Sequence, residues 1–243
     1  MQQEGFFKTP DGTSLYWNSE GPENPSFVLW MVHGMGEHSG RYQNLRKAFM
    51  SMGGLCLGFD LRGHGKSSRK RGHALSLDQL CGDIQALYEH KQKAFGGLPV
   101  LGFGHSLGGQ LILHWQLKHG YTLNALMVSA PYLALAFEPP AWKVALGKWA
   151  AGIWPSFSQA TGLETAALCR DQKVVEAYKS DPLVHNKISA SMFLSIHLGG
   201  ASLLEKASSV QIPLLLGHGT ADRITSEAAS RDFAARCKAA EYW

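Results

Sequence analysis

A serine stands at the centre of the most informative motif in this chain. Residues 104–108 are Gly-His-Ser-Leu-Gly, which has the form Gly-x-Ser-x-Gly. The apolar run 98–103 before Ser106 predicts a strand, and residues 109–117 after it predict a helix. A tight turn between strand and helix is the setting in which this pattern presents a nucleophile, because the glycines allow strained backbone there. The alternative is a glycine-rich turn without chemistry.

A serine nucleophile needs amide donors for the oxygen that becomes an anion, and losing one donor costs about 3 kcal/mol. We expect the first donor to be the amide of Leu107, directly after the serine. The second should come from residues 33–36, His-Gly-Met-Gly, after the apolar run 27–32, and we assign it to Met35. Gly34 and His105 are predicted to border the substrate. The alternative for residues 33–36 is a plain turn.

The serine also needs a base and an acid that orients the base. Asp222 follows a predicted strand at 213–216, which is where the acid is expected, although an aspartate there could also cap a helix or pair with Arg223. The expected order is Ser, acid, His, but the last histidine is His218, before Asp222. Neither His218 nor His105 is a convincing substitute. We therefore expect a C-terminally truncated chain that lacks its last strand and its catalytic histidine.

The remaining pattern predicts an α/β fold with a mostly parallel sheet flanked by helices. Residues 5–9 and 13–18 predict a hairpin around Pro10-Asp11-Gly12, and apolar runs at 27–32, 55–59, 98–103, 125–129 and 213–216 predict buried strands. Ser76 and Gln79 form a capping box before a helix. Ligands are expected at the carboxyl ends of such strands. We predict a core of residues 1–131 and 186–243, interrupted by a helical cap at 132–185.

The cap and one loop carry the candidate contact surfaces. Trp142 and Trp149 belong to an apolar stripe at helical spacing, which packs on the core or else lines an acyl pocket or meets a lipid surface. Residues 61–77 contain five basic and no acidic residues, and account for the positive balance of the chain. A solvated loop is the simpler interpretation, and contact with anionic lipid headgroups is the alternative. Without interleaved aromatic residues the loop does not indicate nucleic-acid binding.

Composition and length limit the function classes. The chain has 243 residues, of which 45% are hydrophobic and 17% charged, enough for one large soluble domain. The four cysteines have neither disulfide-rich nor metal-ligand spacing, and the first residues do not resemble a secretory signal. We expect a cytoplasmic protein that needs no metal or other cofactor, with peripheral membrane contact through the cap or the basic loop. The sequence does not indicate an oligomeric state.

Together the motifs resemble the α/β-hydrolase superfamily, and within it the monoacylglycerol lipase and lysophospholipase branch of serine aminopeptidase-like hydrolases. The matching segments are residues 33–38, 60–67, 104–109, 181–184 and 218–222. The resemblance implies a nucleophile at Ser106, oxyanion amides at Met35 and Leu107, an acid at Asp222, a mobile cap and hydrophobic acyl substrates. It also implies a histidine after Asp222, which this sequence does not contain.

These observations predict a serine ester hydrolase that forms an acyl-enzyme on Ser106. Without the histidine, the chain should retain only about 10³–10⁴-fold catalysis over water. Two alternatives remain open. The chain could be a non-catalytic binding protein that keeps the pocket, or a serine peptidase on the same scaffold, although the predicted cap offers no acidic cluster for a free amino terminus.

Overall fold

The computed structural model describes residues 1–120, 122–138 and 140–243, without the side chains of residues 141–144 and 146. The strands are β1 Gln2–Lys8, β2 Ser14–Glu20, β3 Phe27–Val32, β4 Gly54–Phe59, β5 Val100–His105, β6 Ala125–Ser129, β7 Ser158–Ala160, β8 Lys187–Ser189, β9 Leu214–Gly217 and β10 Ala240–Tyr242. The helices are α1 Gln43–Ser51, α2 Leu77–Gln92, α3 Leu107–His119, α4 Ala141–Ile153, α5 Gln172–Ser180, α6 Ala190–Glu205 and α7 Glu227–Arg236.

Eight strands form the main sheet, in the order β1-β2-β4-β3-β5-β6-β9-β10. β2 runs antiparallel to both of its neighbours, and the other pairs are parallel. The mostly parallel α/β sheet and the hairpin around Pro10-Asp11-Gly12 are therefore confirmed. One half of the predicted capping box is present, because the Ser76 hydroxyl accepts a hydrogen bond from the Gln79 amide at 3.1 Å, whereas the Gln79 side chain accepts from the Leu75 amide at 2.9 Å instead of from that of Ser76.

The register of the central strands brings the predicted site residues to one edge of the sheet. Val32 at the end of β3 pairs with Gly104, and Ser129 at the end of β6 pairs with both His105 and Gly217. The segments that follow β3, β5, β6 and β9 therefore leave the sheet at the same level. This is the edge at which ligands are expected in a parallel α/β sheet.

The two faces of the main sheet are covered by helices to different extents. One face packs on α2, α3, α6 and α7 and forms the large core. On the other face, α1 covers β3 and β4 through Leu45 and Phe49, together with Tyr42 directly before the helix. Farther along that face, Leu215 in β9 is 40% exposed. The expectation that every central strand is buried on both sides is therefore wrong for β9, because α1 lies over the opposite half of the sheet.

The last residues of the given sequence also join the sheet. Their pattern indicated no strand, yet Ala240–Tyr242 pairs in parallel with Leu214–Leu216 as β10, at one end of the strand order. Three residues of mixed polarity have no strand pattern of their own. They become a strand because β9 offers a free edge to which they hydrogen-bond.

The segment between β6 and α6 lies outside the main sheet. It contains α4, α5 and the two-stranded antiparallel sheet β7-β8, and α4 packs against α6. We keep residues 132–185 as the proposed cap. None of the helices within the described parts of the chain is long and apolar enough to cross a bilayer.

Candidate active site

Ser106 occupies a strained turn between β5 and α3. Its backbone has φ 52° and ψ −116°, a conformation that side-chain-bearing residues rarely adopt. The turn is tightly packed, since a Cβ on Gly108 would lie 2.1 Å from the Val32 carbonyl oxygen. Ser106 is held on its other side by its amide, which donates to the Ser129 carbonyl at 2.9 Å. This is the strand-turn-helix geometry that the Gly-x-Ser-x-Gly pattern predicts.

The loop after β3 borders the serine directly. A Cβ on Gly34 would lie 3.4 Å from the Ser106 Cβ and 3.4 Å from the His105 ring. In the described structure, the amides of Met35 and Leu107 donate to no protein oxygen. Leu107 begins α3, whose first-turn amides have no partner within the helix. Two unpaired amides thus lie on segments next to Ser106, as the prediction for an oxyanion hole requires.

Glu37 holds this loop in place, and sequence reasoning missed its role. Its Oε1 accepts hydrogen bonds from the Gly34 amide at 2.8 Å and from the Tyr42 hydroxyl. Burial raises the pKa of Glu37, but the imidazoles of His105 and His33, together with these two donors, outweigh burial and lower it. The glutamate three residues after Gly34 was the available signal, because that spacing lets a carboxylate close a tight loop onto its own backbone.

The segment that follows α5 fastens the same loop from the other side. The His185 amide donates to the Gly36 carbonyl at 2.8 Å. Gly36 has φ +78°, and a Cβ there would lie 2.4 Å from the His185 carbonyl oxygen. Only glycine fits such an approach without displacing the backbone. The loop therefore depends on a segment that lies about 150 residues farther along the chain.

A polar cluster surrounds the loop. The Arg41 Nε lies 3.3 Å from the Glu37 carboxylate, and its guanidinium lies over the Tyr178 ring at 4.7 Å. The His38 Nε2 lies 2.8 Å from Asp181 Oδ2. The position of Asp181 in the sequence makes it a poor candidate for the catalytic acid. Its partner is His38, which is neither of the candidate bases His105 and His218. These contacts connect the loop after β3 to Tyr178 on α5 and to Asp181, which follows α5.

Asp222 lies in the turn after β9, and four donors surround its carboxylate. Oδ1 accepts from the amides of Ile224 and Thr225 at 2.7 and 3.0 Å. Oδ2 accepts from the Thr225 hydroxyl at 2.9 Å and faces the His218 Nε2 at 3.3 Å. Burial alone would raise the pKa of Asp222, but these donors lower it to about 2. The carboxylate is therefore anionic at neutral pH.

Neither candidate histidine has the geometry of a catalytic base. Both ring nitrogens of His218 are engaged, Nδ1 with the Ser230 hydroxyl at 2.7 Å and Nε2 with Asp222. The nearest polar partner of the His105 ring is the Ser129 hydroxyl at 3.4 Å, not a carboxylate. Across the described residues, no histidine bonds Asp222 through one ring nitrogen while leaving the other for Ser106.

Of the two tryptophans predicted to contact substrate, Trp149 has a described side chain and lies away from this geometry. Trp149 on α4 is 64% exposed, and no described contact joins it to Ser106. The side chain of Trp142 lies outside the described residues. Within the described chain no cluster of three His, Cys, Asp or Glu side chains is arranged to hold a metal ion.

The basic loop is largely engaged within the protein. Arg62 is buried and donates to both carboxylate oxygens of Asp83 at 2.5 Å. Arg69 donates to the Thr13 hydroxyl, and Lys70 to the Ser156 carbonyl. These contacts favour a structural role for the loop over a surface that attracts anionic lipid.

Comparison with known proteins places the chain in a family. The family profile described as serine aminopeptidase, S33 matches residues 23–242. An uncharacterized abhydrolase domain-containing protein of Dictyostelium discoideum is 37% identical over 210 residues, which are 86% of this chain and 22% of that protein. The chain therefore spans about a fifth of the length of that relative.

Two monoacylglycerol lipases are also similar over nearly the whole chain. The enzyme of Mycolicibacterium smegmatis is 32% identical over 236 residues, 95% of this chain and 82% of that protein. The crystal structure of Paleococcus ferrophilus monoacylglycerol lipase has a TM-score of 0.85 and 33% identity, covering 94% of this chain and 88% of that chain. The chain belongs to the serine aminopeptidase S33 family of α/β-hydrolases, in the branch that contains the monoacylglycerol lipases.

Proposed function

We propose that this chain is a serine hydrolase of hydrophobic acyl esters of the monoacylglycerol type. The observation that carries the proposal is the strained turn at Ser106, bordered by the two unpaired amides of Met35 and Leu107. The names of the similar lipases support the substrate class.

In the proposed reaction the Ser106 oxygen attacks the ester carbonyl carbon while a base takes the hydroxyl proton. The carbonyl oxygen becomes an anion that accepts hydrogen bonds from Met35 and Leu107. The carbon–oxygen bond to the alcohol then breaks, and the alcohol leaves with the proton held by the base. Water repeats the sequence on the acyl-enzyme and releases the fatty acid. Asp222 supplies the negative charge that orients and stabilises the protonated base.

None of the described histidines is placed to act as the base that takes the Ser106 proton. We therefore test the proposal with imidazole added as an external base to the purified 243-residue chain and to its S106A variant. We expect fatty acid release from a monoacylglycerol that depends on Ser106 and rises with imidazole to a plateau. Equal release by the S106A variant at every imidazole concentration would overturn the proposal.

Substrate class is tested in the same assay. We expect the monoacylglycerol to be cleaved faster than an aminoacyl anilide at equal concentration, with a short nitrophenyl ester also accepted. Faster cleavage of the anilide would replace the lipase proposal with a peptidase.

A binding protein is the second candidate, because the donors around Asp222 and the two occupied ring nitrogens of His218 leave the acid without a base. Such a protein would bind a monoacylglycerol and release no fatty acid with imidazole. Binding measured by calorimetry, together with a flat imidazole response, would favour this candidate.

A further inference from the structure

His218 lies between the proposed acid and the last helix of the chain. Its side chain is fully buried at the end of β9. On one side its Nε2 lies 3.3 Å from Asp222 Oδ2. On the other its Nδ1 lies 2.7 Å from the hydroxyl of Ser230 in α7. The imidazole therefore joins the turn that carries Asp222 to a helix packed in the core.

The surroundings determine which ring nitrogen carries the proton. A neutral imidazole has one N–H and one lone pair. Oδ2 of Asp222 already accepts from the Thr225 hydroxyl at 2.9 Å, and the carboxylate is anionic. The Thr225 hydroxyl also lies 3.4 Å from Nε2, but its shorter contact, at 2.9 Å, is the one to Oδ2. A lone pair on Nε2 would therefore face the anion and be repelled by it. This places the proton on Nε2, with Nδ1 accepting a hydrogen bond from the Ser230 hydroxyl.

His218 differs from the other donors to Asp222 because it is anchored outside the turn that carries the carboxylate. Ile224 and Thr225 belong to the same turn as the carboxylate and move with it. His218 is anchored by Ser230 on α7, so it ties the carboxylate to the core. Without it, Oδ2 would depend on a single hydroxyl of its own turn.

We propose that His218 is a positioning residue that fixes the orientation of the Asp222 carboxylate, with Ser230 selecting the tautomer that makes this possible. The inference rests on the proposed function, since it assigns Asp222 the role of the acid. His218 does not touch the substrate. It holds Oδ2 of Asp222 in the position from which this oxygen can accept a hydrogen bond from the base.

The tautomer is tested without any activity measurement. The chain is labelled with ¹⁵N on histidine, and the two ring-nitrogen resonances of His218 are assigned by comparison with an H218Q sample. We expect a protonated Nε2 and an unprotonated Nδ1 near neutral pH. A protonated Nδ1 facing Ser230, with a bare Nε2, would overturn the proposal whether or not the chain hydrolyses esters.

Two matched variants test the positioning role. In H218Q the amide nitrogen replaces Nε2 and still reaches Asp222, whereas in H218N it replaces Nδ1 and reaches only Ser230. In the imidazole-supported assay we expect H218Q to keep kcat within about threefold of the parent. We expect H218N to lower kcat roughly 10- to 100-fold at unchanged KM, the range expected for a lost hydrogen bond to a charged group. Equal kcat in both variants would overturn the proposal.

A second readout separates this proposal from the proposed function. The Asp222 carboxyl carbon is followed by NMR through a pH titration, after circular dichroism has shown that each variant is folded. We expect the carboxyl pKa to rise by about one unit in H218N and to stay within a few tenths in H218Q. If the parent chain hydrolyses nothing, the proposed function fails while this difference still supports positioning. The same Asp222 carboxyl pKa in H218N and H218Q would overturn the positioning proposal.

Discussion

At the scale of single residues, Ser106 shows how a sequence motif becomes a structural constraint. Among the described residues, Ser106 is one of three non-glycine positions with positive φ, with Arg69 and Ala130. Such backbone costs about 1–3 kcal/mol and is retained where the surrounding structure enforces it. Here Gly108 packs against β3, so the turn cannot relax toward an ordinary conformation. The same strain that presents the hydroxyl should therefore be measurable as a loss of stability.

Replacing Ser106 tests this strain. Because glycine tolerates positive φ and alanine does not, we expect S106G to be about 1 kcal/mol more stable than S106A. Urea unfolding of both variants measures the difference. The matched control is A201G on the exposed side of α6, where the same loss of a Cβ should cost about 1 kcal/mol. An S106G variant less stable than S106A would show that the turn is unstrained.

At the scale of elements, the sequence predicted the strands that have their own pattern and missed the contacts that depend on distant partners. The apolar runs, the helix start at Ser76 and the turn around Ser106 were all visible in the local sequence. β10 was not, because its three residues become a strand only against β9. Glu37 and His218 were also missed as supports, because each acts on a site residue whose position is set by the fold. The local sequence pattern is enough to predict the strands and helices. The residues that support the site become visible only from tertiary contacts.

The loop after β4 gives a prediction at this scale. Its buried Arg62 donates to Asp83 on α2 through two nitrogens and also bonds Asp11 beside the first hairpin. We expect R62M to lose about 3–5 kcal/mol of unfolding free energy, because Asp83 would remain buried without its partner. The control K70M removes an exposed lysine of the same loop together with its surface hydrogen bond to the Ser156 carbonyl, and should cost no more than about 1 kcal/mol. Urea unfolding distinguishes them, and equal losses would contradict the anchoring role of Arg62.

At the scale of the whole molecule, the half-covered sheet face stands out. An open apolar depression of about 340 Å³ runs over β5, β6 and β9, and it is lined by Leu101, Met127 and Leu215 among others. Parallel sheets are ordinarily covered on both faces. An exposed apolar surface of this kind promotes association of the chain with itself or with other apolar surfaces.

Neighbouring leucines of β9 provide a matched test. Leu215 is 40% exposed in this depression, whereas Leu214 is 3% exposed in the core. We expect L215E to reduce light scattering and the binding of an apolar fluorescent dye while leaving the unfolding midpoint within about 3 °C. L214E should fail to fold, because it buries a charge without a partner. Undiminished dye binding by folded L215E would show that the face is not the exposed apolar surface of the chain.

Three histidines connect the loop after β3 to the rest of the molecule. The ring centroids of His33 and His64 are 5.3 Å apart, and those of His64 and His185 are 4.7 Å apart. His33 accepts from the Leu61 amide, and His185 accepts from the Lys187 amide, so these two rings each use a lone pair that protonation would remove. Burial lowers the pKa of all three and brings that of His185 to about 4.

Stability should therefore fall in mild acid, before the carboxylates titrate. An unfolded histidine binds a proton near pH 6.5, whereas His185 in the folded chain does so only near pH 4, so the unfolded state gains protons first as the pH falls. We expect the free energy of unfolding to decrease between pH 6.5 and 4, by roughly 2 kcal/mol for His185 once its partial exposure is allowed for. Asp222, with its lowered pKa, loses its contribution only below pH 4, where an unfolded aspartate begins to bind protons. In H185Q the slope between pH 6.5 and 4 should be shallower than in the parent chain. Urea unfolding at a series of pH values measures these slopes, and an H185Q slope equal to that of the parent would exclude His185 as a source of the acid sensitivity.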